Sequence, residues 1–271
     1  MMVLETMTLQ DRIDKYRDRG FQELEAEIVV LMEESAVALF ASFPDQFILL
    51  GGATLVLFHE SPRLSRDLDL LASLGPLPKT EDVQAVVRSK IQPLAEIFGL
   101  GQLDFQQDIA GPDFLKQWVL ANHKPLFSID LTRIGGSVLE TQIVKHTIAE
   151  TPEKTVRTPN ANYLLFQKCE TFLGRRRVKT RDAFDIHFLL SRGAGLDKTL
   201  RPHLEDLIRM KELDKESIEV RIKAVTAKLS TVELRPVLPL PLFEQLEKEG
   251  FEAIRQSLRT VFSDWLTEGR R

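Results

Sequence analysis

The sequence predicts an α/β (α+β) architecture: a mixed sheet with flanking helices over residues 1–150, followed by a helical domain over 151–271. Three observations point there. In the first half, short apolar runs bounded by turn residues alternate with amphipathic helical stretches. Residues 151–159 carry two prolines among polar residues, the composition of a linker. Beyond 160 only the 3.6-residue helical rhythm recurs. A chain of 271 residues suits one large domain or two small ones.

The elements follow in order. Residues 8–43 read as helix, with Phe21, Leu24, Ile28, Leu31 and Met32 on one stripe. Residues 47–50 form a short apolar run closed by Gly51-Gly52, a buried strand entering a tight turn. A short helix is expected over 53–60, and Ser61-Pro62 ends it. Leu68, Leu70 and Leu71 alternate with Asp67 and Asp69, as on a strand with one buried face. Residues 80–98 read as a helix capped by Thr80, with Glu81 and Asp82 in its first turn. Strands are expected at 103–109, 125–132 and 142–148. The second domain reads as helices at 160–173, 181–190, 196–210, 215–229 and 242–265, with a proline-rich loop at 232–241.

Composition excludes several classes. Apolar residues make up 43% and charged residues 28%, ordinary for a globular chain. The net charge is −4, so any nucleic acid must be met by a local patch and not by bulk charge. Cys169 is the single cysteine, which rules out an internal disulfide, and its place in an apolar helical run marks it as core. No apolar stretch has the length of a signal peptide core or of a membrane span, so a cytoplasmic protein without membrane contact is expected. No GxxxxGK[ST], GxGxxG, HExxH or GxSxG motif occurs.

The segment 47–73 carries the chemistry. A strand delivers two glycines, a helix starts after them, and a second strand opens with Asp67-x-Asp69. Without side chains, Gly51 and Gly52 let a triphosphate approach the backbone, and the amides of the following helix form an anion site. Residues two apart on a strand face the same way, so Asp67 and Asp69 point together. Such a carboxylate pair can chelate Mg²⁺, which prefers oxygen ligands and substrate phosphates. Two such ions can activate an attacking hydroxyl and neutralise a leaving pyrophosphate.

Gly51-Gly52-Ala53-Thr54-Leu55, followed by Arg63-Leu64-Ser65-Arg66-Asp67-Leu68-Asp69, resembles the AbiEii/AbiGii-type nucleotidyltransferases. These are the toxins of type IV toxin–antitoxin systems, within the DNA-polymerase-β-like nucleotidyltransferase superfamily. The family pattern has Thr-Ala where this chain has Ala53-Thr54. A second segment extends the match: Lys168 on a helix, the basic turn Arg175–Arg177, then Arg181-Asp182-Ala183-Phe184-Asp185-Ile186.

The resemblance implies a polymerase-β-like mixed sheet and transfer of a nucleoside monophosphate from an NTP to an acceptor hydroxyl. It implies Mg²⁺ (or Mn²⁺) held by Asp67 and Asp69, and phosphate contacts from Ser65. Arg63 and Arg66 are placed to reach phosphate as well. A third carboxylate on a later strand is expected to bind metal and act as base; Asp130 is the candidate, with Asp104 and Asp108 as alternatives. Lys168 would stabilise developing negative charge, and Asp185 or Asp182 would orient it or contact the nucleotide. The implied partners are an NTP, an RNA acceptor such as a tRNA 3′ end, and a cognate antitoxin. Modification of a protein or small molecule, and NTP binding without transfer, stand as the alternative functions. The basic run 174–181 is a candidate for RNA phosphates.

Overall fold

The first sheet is built so that apolar residues fill one face and acids crowd the other. In a computed structural model, residues 7–72, 75–133, 142–147 and 155–266 are described. The chain divides into two units, Met1–Pro159 and Asn160–Arg271.

In the first unit, α1 (Leu9–Arg17) and α2 (Glu23–Ser42) replace the single helix expected over 8–43. The break falls at Gly20, whose φ of 92° no helix accommodates. Leu24 lies near that break and is half exposed, so it leaves the predicted stripe. Next come β1 (Phe47–Leu50), α3 (Gly51–Phe58), β2 (Asp67–Ala72), α4 (Thr80–Ile97), β3 (Leu103–Ala110), β4 (Phe114–Ala121) and β5 (Lys124–Arg133). The expected cap Thr80 lies inside α4; Lys79 is the N-cap residue and gives no side-chain hydrogen bond.

The five strands form one mixed sheet in the order β1-β2-β5-β4-β3. β1 runs antiparallel to β2, β2 parallel to β5, and β5 antiparallel to β4. The crossover from β2 to β5 includes α4, as a parallel pair requires. Leu68, Leu70, Phe127, Ile129 and Leu131 are buried along β2 and β5. α2 is buried almost all round and packs against α4.

A second, two-stranded sheet pairs β6 (Ile143–Thr147) with β7 (Thr155–Pro159). The linker expected over 151–159 is therefore strand from Thr155 onward, because Val156 and Thr158 bury one face. Residues 151–154, and Ile148 at the end of the strand expected over 142–148, lie outside the described residues.

In the second unit the helices are α5 (Ala161–Gly174), α6 (Thr180–Ser191), α7 (Arg201–Met210), α8 (Lys215–Lys223), α9 (Ala227–Leu234), α10 (Leu240–Lys248), α11 (Glu252–Val261) and α12 (Ser263–Leu266). The helix expected over 215–229 is two helices, parted at Thr226, which caps α9 through its hydroxyl. The loop expected over 232–241 shrinks to the few residues between α9 and α10. α5 and α6 pack side by side, and α6 rests on α9 and α11. Cys169 is fully buried among them, and burial pushes its thiol up, as a core residue requires. His187 meets Ser257 of α11 at 2.8 Å, an interhelical bond rather than a metal contact. Among the described residues, no helix is long and apolar enough to cross a membrane.

Two features of the first unit make testable demands. Arg12 of α1 is buried between Glu34 (2.7 Å) and Glu33 (3.1 Å) of α2, and Lys90 of α4 meets Glu34 at 3.1 Å. Arg12→Leu leaves buried acids short of a cation and should cost about 3–5 kcal/mol in urea denaturation. Lys90→Ala, whose side chain is far more exposed, should cost under about 1 kcal/mol.

At the end of α3, the His59 ring meets His146 of β6 at 6.0 Å, and the Nε2 atoms of both are buried without a hydrogen-bond partner. Burial, with His146 opposite, pushes His59 down to about 4. Its folded pKa lies below the ordinary value, so the stability it contributes is present above that value. That stability is lost as pH falls from about 6.5 toward about 4. His59→Phe should therefore flatten the fall in melting temperature across that window; an unchanged acid limb would reject this account.

Candidate active site

The geometry starts from strand register. In a parallel pair, facing residues share a face of the sheet, and here Asp69 pairs with Asp130 and Asp67 with Ser128. Three carboxylates thus stand on one open face across two adjacent strands. Like charges so placed repel, and the surroundings must compensate.

Compensation comes from a short polar chain. Ser128, fully buried, donates its hydroxyl to Asp67 Oδ1 at 3.0 Å. Lys116 of β4 reaches across the sheet, with Nζ 2.8 Å from Asp130 Oδ2 and 3.3 Å from Ser128 Oγ. The ammonium also lies 4.9 Å from the centre of the Trp118 ring. Burial pulls the Lys116 pKa down, but the hydrogen bond and charge of Asp130, with Asp67 and Asp69 behind it, outweigh that and raise it above its ordinary value. Sequence reasoning missed Lys116 because it missed β4 altogether. Ser128 stood two residues before Asp130 in an alternating run, which was signal enough to place it on the same face.

The glycines pack against these groups. Leu50, the last residue of β1, pairs with Asp69, and the chain turns directly into α3. Gly51 has φ +71°, and a Cβ there would sit 2.0 Å from Asp69 Oδ2. A Cβ on Gly52 would sit 2.6 Å from both Arg63 Nη2 and Ser65 Oγ. Thr54 secures the turn from inside, donating its hydroxyl to the carbonyls of Leu49 (3.1 Å) and Leu50 (2.9 Å). The structure therefore brings Gly51, Gly52, Arg63, Ser65, Asp67, Asp69 and Asp130 into one neighbourhood. Arg63 is 5% exposed and Ser65 is 7% exposed, so neither is a solvated surface group. Arg66, by contrast, is exposed; its carbonyl accepts the Ser128 amide at 2.8 Å. Asp108 accepts the Trp118 indole N–H at 3.4 Å.

The donors suit a hard cation. All are carboxylate oxygens, and Asp130 Oδ1 is buried without a hydrogen-bond partner. Among the described residues no three His, Cys, Asp or Glu side chains converge into a ready cage. The acids line an open face of the sheet instead, and Mg²⁺ suits that arrangement because it keeps waters and takes substrate phosphates as ligands.

The second unit holds another charged cluster. Lys168 Nζ on α5 lies 2.7 Å from Asp185 Oδ2 and 3.8 Å from Asp182 Oδ1 on α6. Asp185 is fully buried. Arg175, just past α5, binds Asp182 at 2.9 Å. The start of α6 is tied down by Glu233 of α9, which accepts from the Thr180 amide (2.7 Å) and hydroxyl (3.0 Å). Arg176 and Arg177 are exposed and line a cavity of about 690 Å³ with Val178, Leu213, Val220 and Arg221.

The glycine contact yields a direct check. Gly51→Ala should lose at least about 1–2 kcal/mol in urea denaturation, the cost of forcing a side chain into a left-handed backbone. A crystal structure of the variant should show the Asp69 carboxylate moved. An unstrained variant with Asp69 in place would reject this packing.

Comparison with known proteins places the chain. The model of the family "Nucleotidyl transferase AbiEii toxin, Type IV TA system" matches residues 36–267. No curated protein matches in sequence. A Helicobacter pylori protein described as a candidate nucleotidyltransferase shares the fold at TM-score 0.56 and 14% identity, over 93% of this chain and 100% of its own. JHP933, also from H. pylori, does so at TM-score 0.55 and 17% identity, over 90% and 94%. The nucleotidyltransferase toxin MenT4 of Mycobacterium tuberculosis aligns more weakly, at TM-score 0.47 and 14% identity, over 97% and 91%. With most of its length matched by this one family model, the chain belongs to the AbiEii family of type IV toxin–antitoxin nucleotidyltransferases.

Proposed function

We propose that the chain transfers a nucleoside monophosphate from an NTP to a hydroxyl of RNA, with a tRNA 3′ end as the acceptor, in a metal-dependent reaction. One observation carries this reading: Asp69 beside Asp130, two register positions from Asp67 beside Ser128, with the turn at Gly51 against Asp69.

In this reading Asp67, Asp69 and Asp130 hold Mg²⁺ or Mn²⁺. The ion, when bound, would neutralise phosphate charge and lower the pKa of the attacking hydroxyl. Gly51, Gly52 and the amide end of α3 take the triphosphate, since helix N-termini attract anions. Arg63 and Ser65 lie against Gly52 and supply further donors to phosphate oxygens. The acceptor oxygen attacks the α-phosphorus, its proton passes to Asp130, and the bond to pyrophosphate breaks. In the second unit Lys168 is held by Asp185, and Asp182 fixes Arg175.

An RNA acceptor is supported by the exposed arginines Arg175, Arg176, Arg177 and Arg181, a local basic patch on a chain of net negative charge. NTPs and tRNA both belong to the cytoplasm, which is where the proposed reaction takes place. A cognate antitoxin, which the family implies, would restrain it.

The test is labelled NTP with Mg²⁺ and total RNA. Label is expected on tRNA; label on protein or a small molecule would replace the acceptor, and bound but unreacted NTP would reject transfer. Asp67→Asn and Asp69→Asn should each reduce transfer about a hundredfold or more, given what single electrostatic contacts contribute at active sites. Their melting temperatures should stay level or rise, because each removes one of several adjacent like charges. Full activity in either variant would end the metal assignment.

A further inference from the structure

Lys116 lies outside every motif that marks the family resemblance, yet it is the hub of the carboxylate face. Its ammonium touches Asp130 directly and Ser128 beside it, and Ser128 in turn holds Asp67. One cation therefore braces two of the three acids. Its side chain is 19% exposed and that of Asp130 15%, so solvent screens the pair poorly. It also leaves Asp130 Oδ1 buried and unpartnered while occupying Oδ2.

We infer that Lys116 is a resident cation of the metal site: it neutralises the acids while no ion is bound and is displaced from Asp130 when one binds. A fixed positive charge 2.8 Å from a metal-ligating oxygen repels a divalent ion entering the same cluster. Adjacent strand acids with no ion and no lysine would repel each other on a partly buried face. Lys116 thus trades metal affinity for a stable metal-free sheet. The route away from Asp130 is already marked, because the ammonium lies 4.9 Å from the Trp118 ring centre, within cation–π range. Toward a bound NTP, the displaced ammonium would be a further donor for phosphate oxygens.

This inference rests on the metal reading of Asp67, Asp69 and Asp130, and the test separates the two. Mn²⁺ affinity is measured by calorimetry on the full chain, without NTP. Lys116→Met should bind Mn²⁺ about tenfold more tightly, the direction set by removing a nearby like charge. Lys116→Arg, which keeps the charge, should stay within about twofold of the parent. Lys116→Met should also melt earlier without metal and regain most of that loss with it. Unchanged or weaker Mn²⁺ binding in Lys116→Met, with binding lost in Asp69→Asn, would overturn the role of Lys116 alone. Failure of the parent chain to bind Mn²⁺, or full binding by Asp69→Asn, would overturn the metal reading and this inference together. Should Lys116→Met fail to fold, the parent chain provides a second readout. Reductive methylation of Lys116, mapped by peptide mass spectrometry, should accelerate when Mg²⁺ is added; equal rates would overturn displacement.

Discussion

Repulsion among three carboxylates is the constraint around which the first unit is arranged. Asp67, Asp69 and Asp130 occupy two neighbouring strands in register, an arrangement that a sheet without compensation would avoid. Each compensating group arrives from a different element. Ser128 comes from β5 itself, Lys116 from β4, and the backbone at the start of α3 comes up against Asp69. The sheet order β1-β2-β5-β4-β3 is what makes this possible. It places the acid-bearing strands at adjacent positions, with the lysine strand on one side and the glycine turn on the other.

The same constraint explains why small residues sit where they do. Gly51 is glycine because its backbone is left-handed and because the Asp69 carboxylate fills the space of a side chain. Gly52 is glycine because Arg63 and Ser65 fill the space there. The motif Gly-Gly…Arg-x-Ser-x-Asp-x-Asp is thus one packed object in space, although the ten residues 53–62 separate its parts in sequence. Burial of Arg63 follows from this packing. A guanidinium held beside a backbone turn in low-dielectric surroundings acts on anions far more strongly than an exposed one.

Legibility tracked how local the physical signal was. β2 and β5 were readable because apolar and polar residues alternate over 67–70 and 127–132, with Leu68 and Leu70 inside and Asp67 and Asp69 outside. The glycine turn was readable because its residue types are demanded by backbone geometry. β4 was not, because Gln117 is fully buried on its inner face, so the inside of the strand carries a polar residue and the alternation fails. Losing β4 meant losing Lys116, whose role depends entirely on a partner fourteen residues away. The break between α1 and α2 was missed because a lone Gly20 is compatible with a continuous helix until its φ is known. The prolines of 232–241 suggested a loop, but proline is welcome in the first turn of a helix, and Pro241 sits there in α10.

Lys168 of the second unit shows why a buried, paired charge resists interpretation by single substitution. Its partner Asp185 is fully buried, and a buried carboxylate without a cation is costly whatever the chemistry nearby. Truncating Lys168 therefore removes a structural counter-charge and a proposed catalytic charge in one step, and lost activity alone would not distinguish them. Asp182 complicates the reading further, because it is shared between Lys168 and Arg175 and can take up part of the slack. Arginine at 168 keeps the charge and the pairing with Asp185 but changes the shape of the donor. A variant that holds its stability and still loses turnover would locate the role of Lys168 in the chemistry, because only the transition state distinguishes an ammonium from a guanidinium once the fold is equally satisfied by both.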